Sequence, residues 1–400
     1  MFLEAHGDES GEGGRKPRLL FFYLHPSSFV LDDIRILQER TDVRLFHYRG
    51  GQRGSPATRF LALLLEALRQ IGWLIRHLPR SDLVAGWFAD YHLALPVLAA
   101  RLARKPSLVV LGGFDGNHLP ELRYGSLHSR WRAPLTRFVV RRATRLLAVT
   151  PGLVYGESRF ATWPDLRSNG ILAHVPGLKT PREVLPTGFE TAFWEAGPET
   201  RPATVCTVAA VASHRTALIK GLDLFIEVAR RLPDVPFLVL GLAPEALPMI
   251  RERYHLPANT ELRGPVPRED LRAVYQAHSV YLQLSRTEGG LPMVLGEAML
   301  CGCLPVVSAA GGMPDTVGDT GPILESPDPA GIAMAVAETL AVGADPIRGP
   351  AARARARERI VARFSIERRR RRLLEIISEM TRPPYEPASA SATAPTSGRS

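Results

Sequence analysis

Twice along this chain, short apolar runs alternate with segments of helical periodicity. The alternation breaks once, in a Pro- and Gly-rich stretch from His174 to Trp194. RLLFFYL, VRLFHY, DLVAGWF, SLVVLGG and RLLAVT read as strands before the break; ATVCTVAAV, PFLVLGL, TELRGPV, VYLQLS and LPVVS read as strands after it. Strands this short and this apolar, separated by helices and tight connections, predict βαβ units and parallel sheets buried on both faces. Two such halves predict an α/β protein of two doubly wound, Rossmann-like domains facing a cleft. Ligands of such folds sit beyond the carboxyl ends of the strands.

Composition supports two cores. A chain of 400 residues, 45 % hydrophobic and 22 % charged, excludes a wholly disordered, collagen-like or disulfide-scaffold protein. Residues 1–16 and 381–400 are rich in Gly, Ser, Ala and Pro and are expected to be disordered. The expected divisions between them are a first domain over 17–183, a second over 184–362 and a closing helix over 363–380. Cys206, Cys301 and Cys303 form no framework; Cys301-Gly-Cys303 lacks a second pair and a nearby His, so small buried thiols are expected rather than zinc. The first residues, MFLEAHGDESGEGG, lack the basic start and apolar run of a signal peptide, and no stretch approaches 18 uncharged apolar residues. A cytoplasmic protein is expected, with a possible place at the inner membrane face.

The net charge of +10 suits nucleic acid, an anionic membrane or a phosphorylated substrate. It is unevenly spread: residues 1–180 carry +10, 181–347 carry −8, and 348–372 carry +9. Only four of the 50 basic residues are Lys: Lys16, Lys105, Lys179 and Lys220.

The densest chemistry lies in SRTEGGLPMVLGEAMLCGCLPVVSAAGGMPDTVGDTG, Ser285 to Gly321. It follows a strand and opens a helix at Leu291-Pro292. Gly289 and Gly290 permit close approach of backbone to ligand, and the helix N-terminus offers free N–H groups to a diphosphate. Glu288 stands in the loop and Glu297 on the helix. Taken singly, a Gly-Gly pair is an ordinary turn and a helix Glu an ordinary solvated residue.

In this order the segment resembles the nucleotide-sugar signature of family 4 glycosyltransferases, which have the GT-B fold. SHRTALIKGLD resembles that family's basic loop, VLPTGFETAFW its hinge, and RFSIERRRRRLLEIISEM its closing helix. The resemblance spans about residues 17–380 and is strongest over 205–325. One departure stands out. Eight residues separate Glu288 from Glu297 where the family has seven, so either the loop carries an extra glycine or Gly289 fills the first Glu's usual position.

The resemblance implies retaining transfer of a hexosyl group from a nucleotide diphosphate sugar to a glycan or lipid-linked acceptor, in bacterial cell-surface polysaccharide or glycolipid synthesis. It implies no cofactor and no metal, the nucleotide sugar being a co-substrate and no DxD sequence occurring. Lys220 and Arg215 would stabilise the departing diphosphate and Glu288 would face the donor sugar. Glu297 would accept hydrogen bonds from ribose. Gly289, Gly290, Leu291 and Pro292 would cradle the diphosphate, and the backbone at Arg263-Gly264 would lie near the base. The closing helix would cross back to the first domain, bringing two basic regions together towards anionic lipid or a phosphate-bearing lipid acceptor.

The first half would hold the acceptor. Its candidates are Gly112, Gly113 and Asp115 after the SLVVLGG strand, with His118 and Tyr124; a loop Asp or His is commonly structural. The helix over Arg59–Arg80 has a broad apolar face, expected to pack on the sheet; its other reading is an interfacial helix on anionic lipid. The Arg run at 130, 132, 137, 141, 142 and 145 adds basic surface, or is a solvated helix face. Two alternatives to transfer are a sugar-nucleotide epimerase of the same fold and a basic nucleic-acid-binding protein. No helix-turn-helix, zinc finger or RNP pattern supports the latter, so no specific nucleic acid is expected.

Overall fold

The computed structural model describes residues 15–50, 55–157, 159–160 and 168–382. The expected disordered ends lie outside these, apart from Arg15, Lys16, Thr381 and Arg382. The first half builds a parallel sheet from β1 (Arg18–Tyr23), β2 (Asp42–His47), β3 (Leu83–Trp87), β4 (Ser107–Leu111), β5 (Arg145–Ala148) and β6 (Arg182–Val184), in the order β2-β1-β3-β4-β5-β6. The second half builds another from β7 (Val205–Val211), β8 (Phe237–Leu242), β9 (Thr260–Leu262), β10 (Val280–Gln283), β11 (Leu304–Ser308) and β12 (Ile323–Leu324), in the order β9-β8-β7-β10-β11-β12. All residues of β3, β4, β10 and β11 are buried, as strands covered on both faces require.

The stretch read as hinge alone also supplies β6. It pairs with β5 at Leu146–Arg182 to Ala148–Val184, and Leu185 N–H continues the ladder onto Ala148 O at 2.8 Å. A three-residue edge strand between prolines has no periodicity to betray it.

Helix Arg348–Phe364 ends at Ser365, whose hydroxyl caps the closing helix Ile366–Thr381 by accepting Arg368 N–H at 3.4 Å. That helix packs on helix Ser28–Arg40 of the first half. The closing helix does return to the first half as expected, but three of its five consecutive arginines, Arg369, Arg370 and Arg372, are spent on ion pairs rather than left as free cationic surface. Arg369, 2 % exposed at the side chain, pairs with Asp33, 1 % exposed, through Nε at 2.6 Å. Arg369 also donates to the hinge carbonyls of Leu185 and Pro186, both at 2.8 Å. Arg370 pairs with Glu39, and Arg372 with Glu183, Glu375 and Glu379. The acids that pair with these three come mostly from distant segments, so a regional charge count misses them, while Arg368 and Arg371 make no ion pair among the described residues.

Helix Pro56–His77 also departs from expectation. Its polar residues Glu66 and Gln70 face inward, while Phe60, Leu61, Leu64, Leu65 and Leu68 face solvent. The Arg run splits: Arg132 pairs with Asp90, and Arg145 with Glu183 and Glu379, whereas Arg141 and Arg142 make no ion pair among the described residues.

Candidate functional site

The loops after β4, β5, β7, β10 and β11 converge where the two halves meet. Helix His214–Ile219 starts in a capping box: Ser213 Oγ accepts Thr216 N–H at 3.3 Å and Thr216 Oγ1 accepts Ser213 N–H at 2.9 Å. It ends at Lys220. Gly221 then turns left-handed, φ 66°, with its α-carbon so close to the Leu284 carbonyl that a Cβ would overlap that oxygen. This fit sets Lys220 against the end of β10, where its Nζ donates to Glu288 Oε1.

Glu288 is held from its own strand as well. Ser285 Oγ donates to Oε1 at 2.9 Å and Gln283 Nε2 at 3.1 Å. Arg286 locks the basic loop to the carboxylate loop: it binds Asp223 through Nη1 at 2.7 Å and Nη2 at 2.6 Å, and donates to Leu218 O at 2.7 Å. Sequence reasoning missed Gln283, Arg286 and Asp223. The polar Gln283 in an otherwise apolar buried strand was a readable signal; the Arg286–Asp223 pairing across 63 residues was not.

The Gly pairs meet across the halves. A Cβ on Gly113 (φ 140°) would come within 3.0 Å of Gly290 N, and one on Gly290 within 2.7 Å of Gly112 O. Gly312 N–H donates to Glu288 O at 3.2 Å, and Thr150 Oγ1 to Gly289 O at 3.4 Å. A small recess of about 40 Å³ lies between Asn117, Gly152, Glu157 and Thr287. Here the Gly-rich loops of the two halves meet backbone on backbone.

Helix Met293–Leu300 begins one residue later than expected, with Pro292 as its N-cap. Leu291 and Pro292 are both buried, so their side chains serve packing. Glu297, on the second turn, faces Tyr275 and Arg268. Burial pushes its carboxyl up to about 7, with Arg268 and Tyr275 pulling the other way. Arg263 reaches solvent and pairs with Glu261, while the carbonyls of Arg263 and Gly264 accept Leu242 and Gly241 N–H, both at 3.3 Å.

Arg215 is exposed and bridges the halves, Nη1 donating to Arg123 O at 3.2 Å. Tyr124, beside Arg123, lies near both Glu288 and Arg215; burial first, then Glu288, raises its hydroxyl's pKa. Asp115 is corrected from a cleft group to a shaper of the loop. Fully buried, its carboxylate accepts N–H from Ala89 at 2.8 Å, Gly113 at 2.9 Å and Gly112 at 3.1 Å, and burial raises it to about 6. His118 sits in an imidazole cluster, its ring centre 4.9 Å from His174 and 5.9 Å from His128, and burial lowers its pKa. Among the described residues no group of His, Cys, Asp and Glu could hold a metal ion. All three cysteines are buried thiols.

Residues 205–341, which contain β7 to β12, match the family described as glycosyl transferases group 1. This matched stretch, 137 of the 400 residues, is similar to that family. A phosphatidylinositol N-acetylglucosaminyltransferase subunit of Arabidopsis thaliana is 32 % identical over 165 residues, 40 % of this chain and 36 % of that one. The GDP-mannose-dependent alpha-(1-6)-phosphatidylinositol monomannoside mannosyltransferase of Mycolicibacterium smegmatis is 30 % identical over 240 residues, 56 % of this chain and 60 % of its own. The match therefore spans about a third to three fifths of these two relatives. Among solved structures, Anabaena HepE in complex with UDP-glucose superposes with a TM-score of 0.65 at 18 % identity, covering 90 % of this chain and 99 % of that one. A glycosyltransferase from Rickettsia africae superposes at 0.67 with 12 % identity, covering 92 % and 100 %. At such identities the likeness is one of fold, and that fold is GT-B.

Proposed function

We propose that this protein is a group 1 glycosyltransferase that transfers a sugar, with retention, from a nucleotide diphosphate sugar to a phosphate-bearing lipid acceptor. The observation that carries the reading is the Lys220–Glu288 pair, seated at the carboxyl ends of β7 and β10 by Gly221 and by the Gly-Gly loop. A diphosphate brought to this loop competes with Glu288 for the ammonium. Glu288, released from Lys220, is then free to accept from sugar hydroxyls. Negative charge builds on the departing diphosphate in the transition state, so Lys220 and Arg215 act as groups that bind it more strongly there than in the ground state. Glu297 accepts from ribose, and the Gly-rich turns give backbone N–H groups room to approach phosphate.

Contact between the Gly-rich loops of the two halves helps keep water from this chemistry. The acceptor reading draws on the two relatives, whose names place phosphatidylinositol or its monomannoside among what they act on. A nucleotide-sugar screen with phosphatidylinositol vesicles as acceptor tests it. Labelled sugar should pass to lipid, and activity should persist in excess chelator. Loss of activity on chelation overturns metal independence, and isomerisation of donor without acceptor overturns transfer in favour of epimerisation.

A further inference from the structure

Helix Pro56–His77 packs Leu63, Trp73 and Leu74 on the core but leaves much of its apolar surface outside. Its inward face carries Glu66, which accepts Arg49 N–H and pairs with Arg69, and Gln70, whose Nε2 donates to His92 O at 2.8 Å. Its outward face shows Phe60, Leu64, Leu68 and Ile75, each between 46 % and 72 % exposed. The next helix, Tyr91–Leu102, extends the ridge with Leu98 and with Leu102, 77 % exposed. A groove of about 370 Å³ between the two helices is lined by apolar residues throughout. A contiguous apolar surface of this kind, left open by a folded domain, marks an interaction site.

The chemistry changes sharply at one point. The end of helix Tyr91–Leu102 turns Leu98 and Leu102 to the groove, and Arg101 with the following Arg104 to a second recess of about 720 Å³. Lys105, Arg141, Arg142 and Lys179 line that recess too. Its one carboxylate, Asp82, accepts from Arg15 with both oxygens at 3.0 Å. The other two acids of residues 55–105 are also engaged, Glu66 by Arg69 and Asp90 by Arg132. Arg101, Arg104, Arg141 and Arg142 make no ion pair among the described residues.

An apolar ridge alone would suit a second protein chain, and a cationic recess alone would suit a soluble polyanion. The two joined at one helix end, with every nearby acid neutralised, fit an amphiphilic surface. We infer that this face docks the protein on an anionic phospholipid bilayer. The leucine ridge enters the acyl boundary and the recess cations meet headgroup phosphates. No single helix among the described residues is long and apolar enough to cross a membrane, so the contact is peripheral. The 22-residue helix runs about 33 Å, from the carboxyl end of β2, on the cleft side, to the amino end of β3. The recess lies at the amino ends of β3 to β6, so docking is centred on the side of the domain away from the cleft. The inference stands independently of the sugar-transfer reading.

Co-sedimentation of the full chain tests it, with vesicles of phosphatidylglycerol and phosphatidylcholine against phosphatidylcholine alone. Binding should require the anionic lipid and weaken as salt rises. A Leu64→Glu/Leu68→Glu variant, altered only at exposed positions, should lose binding while keeping its melting temperature. Each Lys or Arg near an anionic surface strengthens binding by about fivefold, so Arg101→Ala/Arg104→Ala should weaken it about 25-fold. Met334→Glu, 63 % exposed in the other half, should bind as the parent does. Equal binding to both vesicle types, absence of binding, or full binding by the leucine variant overturns the inference. So does a parent protein that sediments as a dimer and becomes monomeric in the leucine variant, since a second copy would then own this face.

Discussion

Glu297 gives the sharpest test of the site's electrostatics, because its burial has a sign and a size. The carboxyl is pushed from an ordinary 4.5 up to about 7 by burial, against the pull of Arg268 and Tyr275. A group whose folded pKa is raised stabilises the fold fully below its unfolded pKa, and that stability is lost as pH rises through the folded value. The window here is about pH 4.5 to 7. At about 1.4 kcal/mol per unit, the folded state gives up about 3 kcal/mol to this one group by pH 8. Glu297→Gln removes the titration and keeps the shape. Urea unfolding of parent and variant, taken at intervals from pH 4.5 to 8, cancels every other titrating group in the difference. The variant should match the parent at pH 4.5 and exceed it by about 3 kcal/mol at pH 8. A nucleotide ribose that hydrogen-bonds the carboxylate must ionise it, so donor binding near pH 6 should release a proton, read by calorimetry in buffers of different ionisation enthalpy. A stability difference that does not vary with pH would refute the reasoning, because Glu297 would then be solvated and freely charged.

Lys220→Ala should cut transfer by about 10²–10³-fold in kcat, the usual effect of removing one donor to a developing anion; a rate within threefold of the parent would exclude Lys220 from the reaction. Arg369→Met should destabilise the protein by about 3–5 kcal/mol, since it strands Asp33 with a buried charge, and adding Asp33→Leu should recover much of the loss in urea melts. Gly221→Ala should lower stability by more than 1 kcal/mol and raise the KM for the donor, because a Cβ there meets the Leu284 carbonyl and must shift Lys220. Unchanged melting and kinetics would mean that the turn has slack the geometry does not show.

Much of this protein was written locally. Strand runs such as SLVVL and LPVVS have the length and apolarity of buried parallel strands, so two doubly wound sheets followed from pattern alone. Glu288-Gly289-Gly290 was legible because close backbone approach favours glycine, and Lys220-Gly221 through the resemblance of its loop to the family's basic loop. Three things required the fold. Asp115 is a loop clamp because its three N–H donors come from two different loops. Three arginines of the closing helix, Arg369, Arg370 and Arg372, pair with acids up to 336 residues away, which no charge count by region can reveal. Above all, the periodicity of helix Pro56–His77 gave it an apolar face but not a direction. Hydrophobic spacing sets which residues share a stripe; only the packing of Glu66 and Gln70 against Arg49, Arg69 and His92 decides that the stripe points outward.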